Sequence, residues 1–154
     1  MERTVKDDPV VAIAGVTGAV GAEFIATMDK RAFRVGKLKA LASARSAGKT
    51  IDFRGRKVVI EELTENSFEG VDIALFSAGS GISKKFSPVA VKAGAVVIDN
   101  SSAFRMDPKM PLVIPRSTPT ASPSTTVSSL FGITRRSRRW CRCGRSTGPT
   151  ASSA

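Results

Sequence analysis

The chain has 154 residues, of which 42% are hydrophobic and 24% charged. That length supports one domain with a sizeable core, the composition is that of an ordinary globular protein, and no run of 18 apolar residues offers a membrane span. The net charge of +11 points to an anionic partner, but seven arginines and no acid lie beyond position 115, which leaves 17 basic and 13 acidic residues, a net of +4, in residues 1–115.

The opening MERTVKDDPV mixes both charges and has no apolar h-region, so no signal peptide is expected and the cytosol is the default location. Residues 10–14, VVAIA, form a continuous β-branched run, the pattern of a strand buried on both faces. Gly15 ends it. From Ala19 onward Val20, Phe24 and Met28 recur every four residues, so one helical face is apolar. A second strand is predicted at residues 37–42, KLKALA. Residues 51–60, IDFRGRKVVI, read as a hairpin turning near Arg54-Gly55.

Residues 71–76, VDIALF, are another buried strand. Ile82, Phe86, Val89, Ala90 and Ala93 then share one helical face. Pro88 either kinks that helix or opens a new turn, and Gly94 is placed to cap it. Residues 95–99, AVVID, and 111–115, PLVIP, complete the strands. The order predicts an α/β fold, a doubly wound, mostly parallel sheet of Rossmann-like type.

Gly15, Thr17, Gly18, Ala19, Val20 and Gly21 lie between the first strand and the first helix. Glycines there let the chain turn tightly and let backbone amides approach a pyrophosphate at a helix N-terminus. The spacing is G-x-x-G-x-x-G rather than G-x-G-x-x-G, so the flanking strand and helix carry the assignment. An acid at the end of the second strand would hold a ribose 2′-hydroxyl. This strand instead runs into Ser43-Ala44-Arg45-Ser46. A guanidinium fork between hydroxyls suits a 2′-phosphate, so the expected cofactor is NADP rather than NAD. Ser77, Ala78 and Gly79 follow the 71–76 strand at its carboxyl end, where an open α/β sheet faces its ligand; an ordinary strand-to-helix loop fits the pattern equally well. Asn100 and Arg105 follow the 95–99 strand. By pattern Arg105 reads as a surface arginine paired with Asp107. No metal-ligand cluster is expected.

GVTGAVG, LASARSAGK, FEGVDIALFSAGS, AVKAGAVVIDNSSAFRMDP and PLVIP, in this order, closely resemble the N-terminal half of bacterial aspartate-semialdehyde dehydrogenases. The resemblance covers about residues 9–115. It implies an NADP-dependent enzyme that converts aspartyl phosphate to aspartate semialdehyde, on the route to lysine, methionine and threonine, and a homodimer built mainly through a second domain. It places Thr17, Gly18, Ala19 and Val20 at the cofactor pyrophosphate, and Arg45 and Ser46, with Ser43 near, at the 2′-phosphate. Ser77, Ala78 and Gly79 line the cofactor cleft. Arg105, with Asn100, binds the phosphate of substrate.

The resemblance stops after VIP. The family continues approximately as E-[VI]-N-P, then reaches an N-C-[ST] segment with the catalytic cysteine, and a later histidine. This chain has RSTP, no such segment and no histidine. Cys141 and Cys143 sit in WCRCG, which does not match. No catalytic residue is therefore assigned, and catalysis by these residues alone is not expected.

Residues 116–154 form a separate, low-complexity basic tail. The stretch 116–130, RSTPTASPSTTVSSL, shows no hydrophobic period and is expected to be disordered. Codons for residues 116–126 can be chosen so that one added G and a shifted frame read EVNPDRIAQHN, which restores the family's E-V-N-P; the tail reads as a frameshifted ending. The competing function is non-catalytic binding of nucleic acid or another polyanion. It would use Arg116, Arg135, Arg136, Arg138, Arg139, Arg142 and Arg145 with Trp140, and would be non-specific and salt-sensitive.

Overall fold

A computed structural model describes residues 7–104, 106–107, 112–113 and 130–133. Among them the strands are β1 (Val10–Ala14), β2 (Lys37–Ala42), β3 (Thr50–Phe53), β4 (Arg56–Glu62), β5 (Ile73–Phe76), β6 (Val96–Asp99), β7 (Leu112–Val113) and β8 (Leu130–Ile133). The helices are α1 (Ala19–Lys30) and α2 (Ser80–Lys92), with short 3-10 turns at Ala44–Ser46 and Glu65–Phe68. One sheet takes the order β3-β4-β2-β1-β5-β6-β8-β7. All pairs are parallel except the β3–β4 hairpin.

Side chains of a strand alternate between the two faces. On β1, Val11 and Ile13 join a cluster with Met28, Leu38, Ala40 and Ile60, against which Phe24 and Ile25 of α1 pack. Ala12 and Ala14 join the opposite cluster with Phe68, Phe76, Phe86 and Ala90, which brings in α2. The two helices thus cover opposite faces, so β1 must be apolar at every position. The chain leaves β1 for β2 on one side and later places β5 on the other. This reversal opens a crevice at the carboxyl ends of β1 and β5.

The hairpin is fixed at its tip. Arg54 and Gly55 have φ of 55° and 72°, the two positive values of a type I′ turn. Arg54 tolerates that conformation because its guanidinium is well used. Nη2 donates to the carbonyls of Met28 (3.1 Å) and Phe33 (2.7 Å) at the end of α1, and the group stacks over the Phe53 ring at 4.9 Å. Arg54→Ala is expected to lower stability by roughly 1–3 kcal/mol, the sum of two hydrogen bonds to carbonyls at and just past the end of α1, measured by urea unfolding.

One expectation is corrected. The inward face of α2 is Ser83, Phe86, Ser87 and Ala90, while Ile82 is 36% exposed and Ala93 lies outside the helix as its cap. Small side chains let the helix approach β6 closely, and the Ser83 hydroxyl meets Asp99, an acceptor that a hydrophobic count cannot show. Pro88 is accommodated within the helix, and Gly94 follows its cap with φ of 95°. Of residues 116–154, the described ones are Leu130–Ile133, which form β8. LFGI is a short apolar run that includes the β-prone Phe131 and Ile133, and its backbone enters the sheet between β6 and β7.

Candidate functional site

The turn after β1 is built by two glycines with different jobs. Gly15 has φ of 89°, and a Cβ there would lie 2.9 Å from the Ala78 backbone. It therefore permits both the turn and the contact between the β1 and β5 loops. Gly21 is ordinary helix by dihedral, but a Cβ would lie 2.5 Å from the Gly15 oxygen and 2.6 Å from Val16 Cα. Gly21 lets α1 start directly against the turn. Gly18 is the N-cap, with no crowding below 3.4 Å. Bare backbone there leaves access from outside.

The first hydrogen bond of α1 runs from Ala22 N–H to the Gly18 carbonyl at 3.0 Å. The amides of Ala19, Val20 and Gly21 consequently have no backbone acceptor among the described residues. The positive end of the helix dipole adds to them. At α2 the first such bond is Ser83 N–H to the Gly79 carbonyl, and Gly79 is a cap with φ of 91°. Two helix N-termini therefore follow the two strands at the switch point.

Between them lies a cleft of about 440 Å³. Gly15, Thr17 and Gly18 line its centre, and Ser77 and Ala78 line it from β5. Ser43 and Ala44 line it from β2. Ser43 caps the 3-10 turn that carries Arg45 and Ser46, closed by Ser46 N–H to the Ser43 carbonyl at 2.8 Å. Arg45 is exposed beside the cleft and has no ion-pair partner among the described residues. Ser46 is half-buried on the same turn. Glu62, Leu63, Ile82 and Phe86 also line the cleft, though nothing local in the sequence marked them.

The loop after β6 is organised by Asp99, which is 1% exposed. Its Oδ1 accepts from Ser101 N–H (2.7 Å) and the Ser83 hydroxyl (3.3 Å), and its Oδ2 from the Ser101 hydroxyl (2.9 Å). Ser101 Oγ in turn accepts from Ala103 N–H at 3.1 Å. Asn100 is half-buried and its N–H donates to the Phe76 carbonyl, outside the residues that line the cleft. The candidate Arg105 lies outside the described residues. Asp99→Ala is expected to lower stability by roughly 1–3 kcal/mol, because it strands one buried and two part-buried donors, while Asp99→Asn loses less; thermal unfolding of both variants measures this.

Residues 10–122 match the family model described as semialdehyde dehydrogenase, NAD binding domain. The chain belongs to that family. It is 51% identical over 105 residues to the aspartate-semialdehyde dehydrogenase of Bacillus subtilis, which covers 68% of this chain and 30% of that protein. It is 52% identical over 110 residues to the enzyme of Aquifex aeolicus, covering 71% of this chain and 32% of that one. The structure of aspartate semialdehyde dehydrogenase II from Vibrio cholerae, complexed with ASA, superimposes with a TM-score of 0.78 at 43% identity, over 82% of this chain and 41% of that one. The chain spans about a third of the length of the curated relatives it matches.

A nicotinamide dinucleotide, the ligand class of this family, fits what the residues present. The cradle at Gly15 has no room for a side chain, free helix-end amides face an anion's position, and the cleft is large enough for the adenosine part of a dinucleotide. Gly21 contributes by packing rather than by contact, since it is buried under the turn. Among the described residues no group of acids and cysteines could hold a metal ion, and no helix is long and apolar enough to cross a membrane.

Proposed function

We propose that this chain is the NADP-binding part of an aspartate-semialdehyde dehydrogenase, the enzyme that converts aspartyl phosphate to aspartate semialdehyde. The observation that carries the reading is the juxtaposition of free α1 amides with an exposed Arg45 on a strand end that has no acid. In this reading the amides of Ala19 and Val20, with Thr17 and Gly18, hold the pyrophosphate. Arg45, Ser43 and Ser46 hold the 2′-phosphate. Ser77, Ala78 and Gly79 border the path toward the reacting end, and Asn100 with Arg105 takes the substrate phosphate. The dinucleotide supplies hydride.

The proposal assigns binding to residues 1–115 and no catalytic role to residues 116–154. The 154 residues hold no histidine to act as acid or base and no N-C-[ST] nucleophile segment. The homodimer and the complete reaction belong to the longer proteins this chain resembles. The test is thermal unfolding of the chain with increasing NADP and NAD. Stabilisation by NADP at concentrations where NAD has little effect supports the reading. A folded chain that responds to neither overturns it.

A further inference from the structure

Among the described residues the cleft has a single charged lining residue, Glu62, and it is an acid in a site otherwise built for a phosphorylated ligand. Its backbone is firmly placed. Glu62 pairs with Ala42 in the β2–β4 ladder, Leu63 N–H donates to the Ala42 carbonyl at 2.8 Å, and the Ser67 hydroxyl donates to the Glu62 carbonyl at 3.1 Å. The side chain is exposed and has no ion pair or hydrogen bond among the described residues. The carboxylate is thus available to a ligand. Ionised, it can only accept hydrogen bonds.

The order of the strands says which part of a dinucleotide reaches it. The pyrophosphate position belongs to the turn after β1, and the 2′-phosphate position to the turn after β2. β4 is one strand further out, about 10 Å from β1 at ordinary strand spacing. Beyond a ribose at the β2 turn comes the base. The walls there suit a flat aromatic group: Leu63 is half-buried on one side, and Ile82 and Phe86 of α2 line the cleft with it. Glu62, next to Leu63 in the chain, lines the same cleft. Of the donors a 2′-phosphorylated adenosine offers there, the exocyclic amine of adenine belongs to the base.

We propose that Glu62 reads the base of the bound dinucleotide by accepting a hydrogen bond from the adenine amine. The inference rests on the cofactor reading above and adds its base specificity. It also accounts for an acid in an anion-binding cleft, since a carboxylate placed beside a phosphate would only repel it.

The test compares NADP with its purine analogue, in which a hydrogen replaces the amine and no donor takes its place. Wild type, Glu62→Gln and Glu62→Ala are titrated with each by calorimetry. Wild type is expected to bind NADP about tenfold or more tightly than the analogue, the worth of one charge-assisted hydrogen bond. In Glu62→Ala the preference falls to within about twofold, mainly because NADP weakens. Thermal unfolding without ligand checks that the variants remain folded. Equal binding of both dinucleotides by wild type overturns the inference alone, as does a preference that survives in Glu62→Ala. Tighter binding of both by Glu62→Ala also overturns it, because the acid is then only a repulsive charge. Absence of NADP binding by folded wild type overturns the cofactor reading and this inference together.

Discussion

Gly21→Ala is expected to lower the melting temperature by roughly 10 °C, although alanine is the better helix former. Two opposing effects act at this position. Alanine in a helix interior is favoured over glycine by about 1 kcal/mol. Against that, the added Cβ would lie 2.5 Å from the Gly15 oxygen and 2.6 Å from both Val16 Cα and its carbonyl oxygen. These are backbone atoms in a turn held by Gly15 N–H and Val16 N–H to the Leu41 carbonyl, at 2.9 and 3.3 Å. No side chain can rotate away, so α1 or the turn must shift. Overpacking of this kind costs about 1–3 kcal/mol, and backbone crowding belongs at or above the upper end. The net loss of about 2 kcal/mol corresponds to roughly 8–16 °C in a domain of this size. Gly81→Ala is the control of opposite sign. It lies in α2, where an added Cβ would meet nothing within 4 Å, and should raise stability by up to about 1 kcal/mol.

Arg45→Ala is expected to weaken NADP by about 10- to 100-fold while leaving NAD within about twofold, a loss of roughly 1.5–3 kcal/mol for hydrogen bonds to a charged group. The selectivity of the effect is what matters. Arg45 is exposed and unpaired among the described residues, so its removal disturbs no core contact and should leave thermal stability unchanged. A general electrostatic role would weaken both dinucleotides together. Arg45→Lys should restore only part of the preference, because an ammonium keeps the charge but not the planar fork. Isothermal titration of the two dinucleotides against the three proteins measures this.

The glycine turn is legible in the sequence because its elements are contiguous. A β-branched run, three spaced glycines and a helical period follow each other within residues 10–28, and β1 and α1 form where those signals lie. The same holds for Ser43–Ser46 after β2 and Ser77–Gly79 after β5. Glu62 is illegible for the opposite reason. It reaches the cleft only because β4 pairs with β2 in parallel register, a contact between segments whose hairpin pattern says nothing about the third strand. Ile82 fits the apolar period of α2 and so reads as core. The structure turns the helix so that hydroxyls at Ser83 and Ser87 face inward instead. Ser83 can do so because Asp99 lies beneath it, a pairing across 16 positions that no local pattern reports. Leu130–Ile133 is hidden by its neighbours: a four-residue apolar run inside Ser, Thr, Pro and Arg carries little periodic signal, yet its backbone has a place in the sheet beside β6.

The most direct test of the cofactor site is an amide nuclear-magnetic-resonance titration of the ¹⁵N-labelled chain with NADP. The largest shifts are expected at Thr17, Gly18, Ala19 and Val20, followed by Ser43–Ser46, Leu63 and Ser77–Gly79, with NAD sparing the Arg45 turn. Shifts concentrated at residues 135–145, fading with salt and reproduced by any polyanion, would contradict this and leave the arginine-rich tail as the binding element.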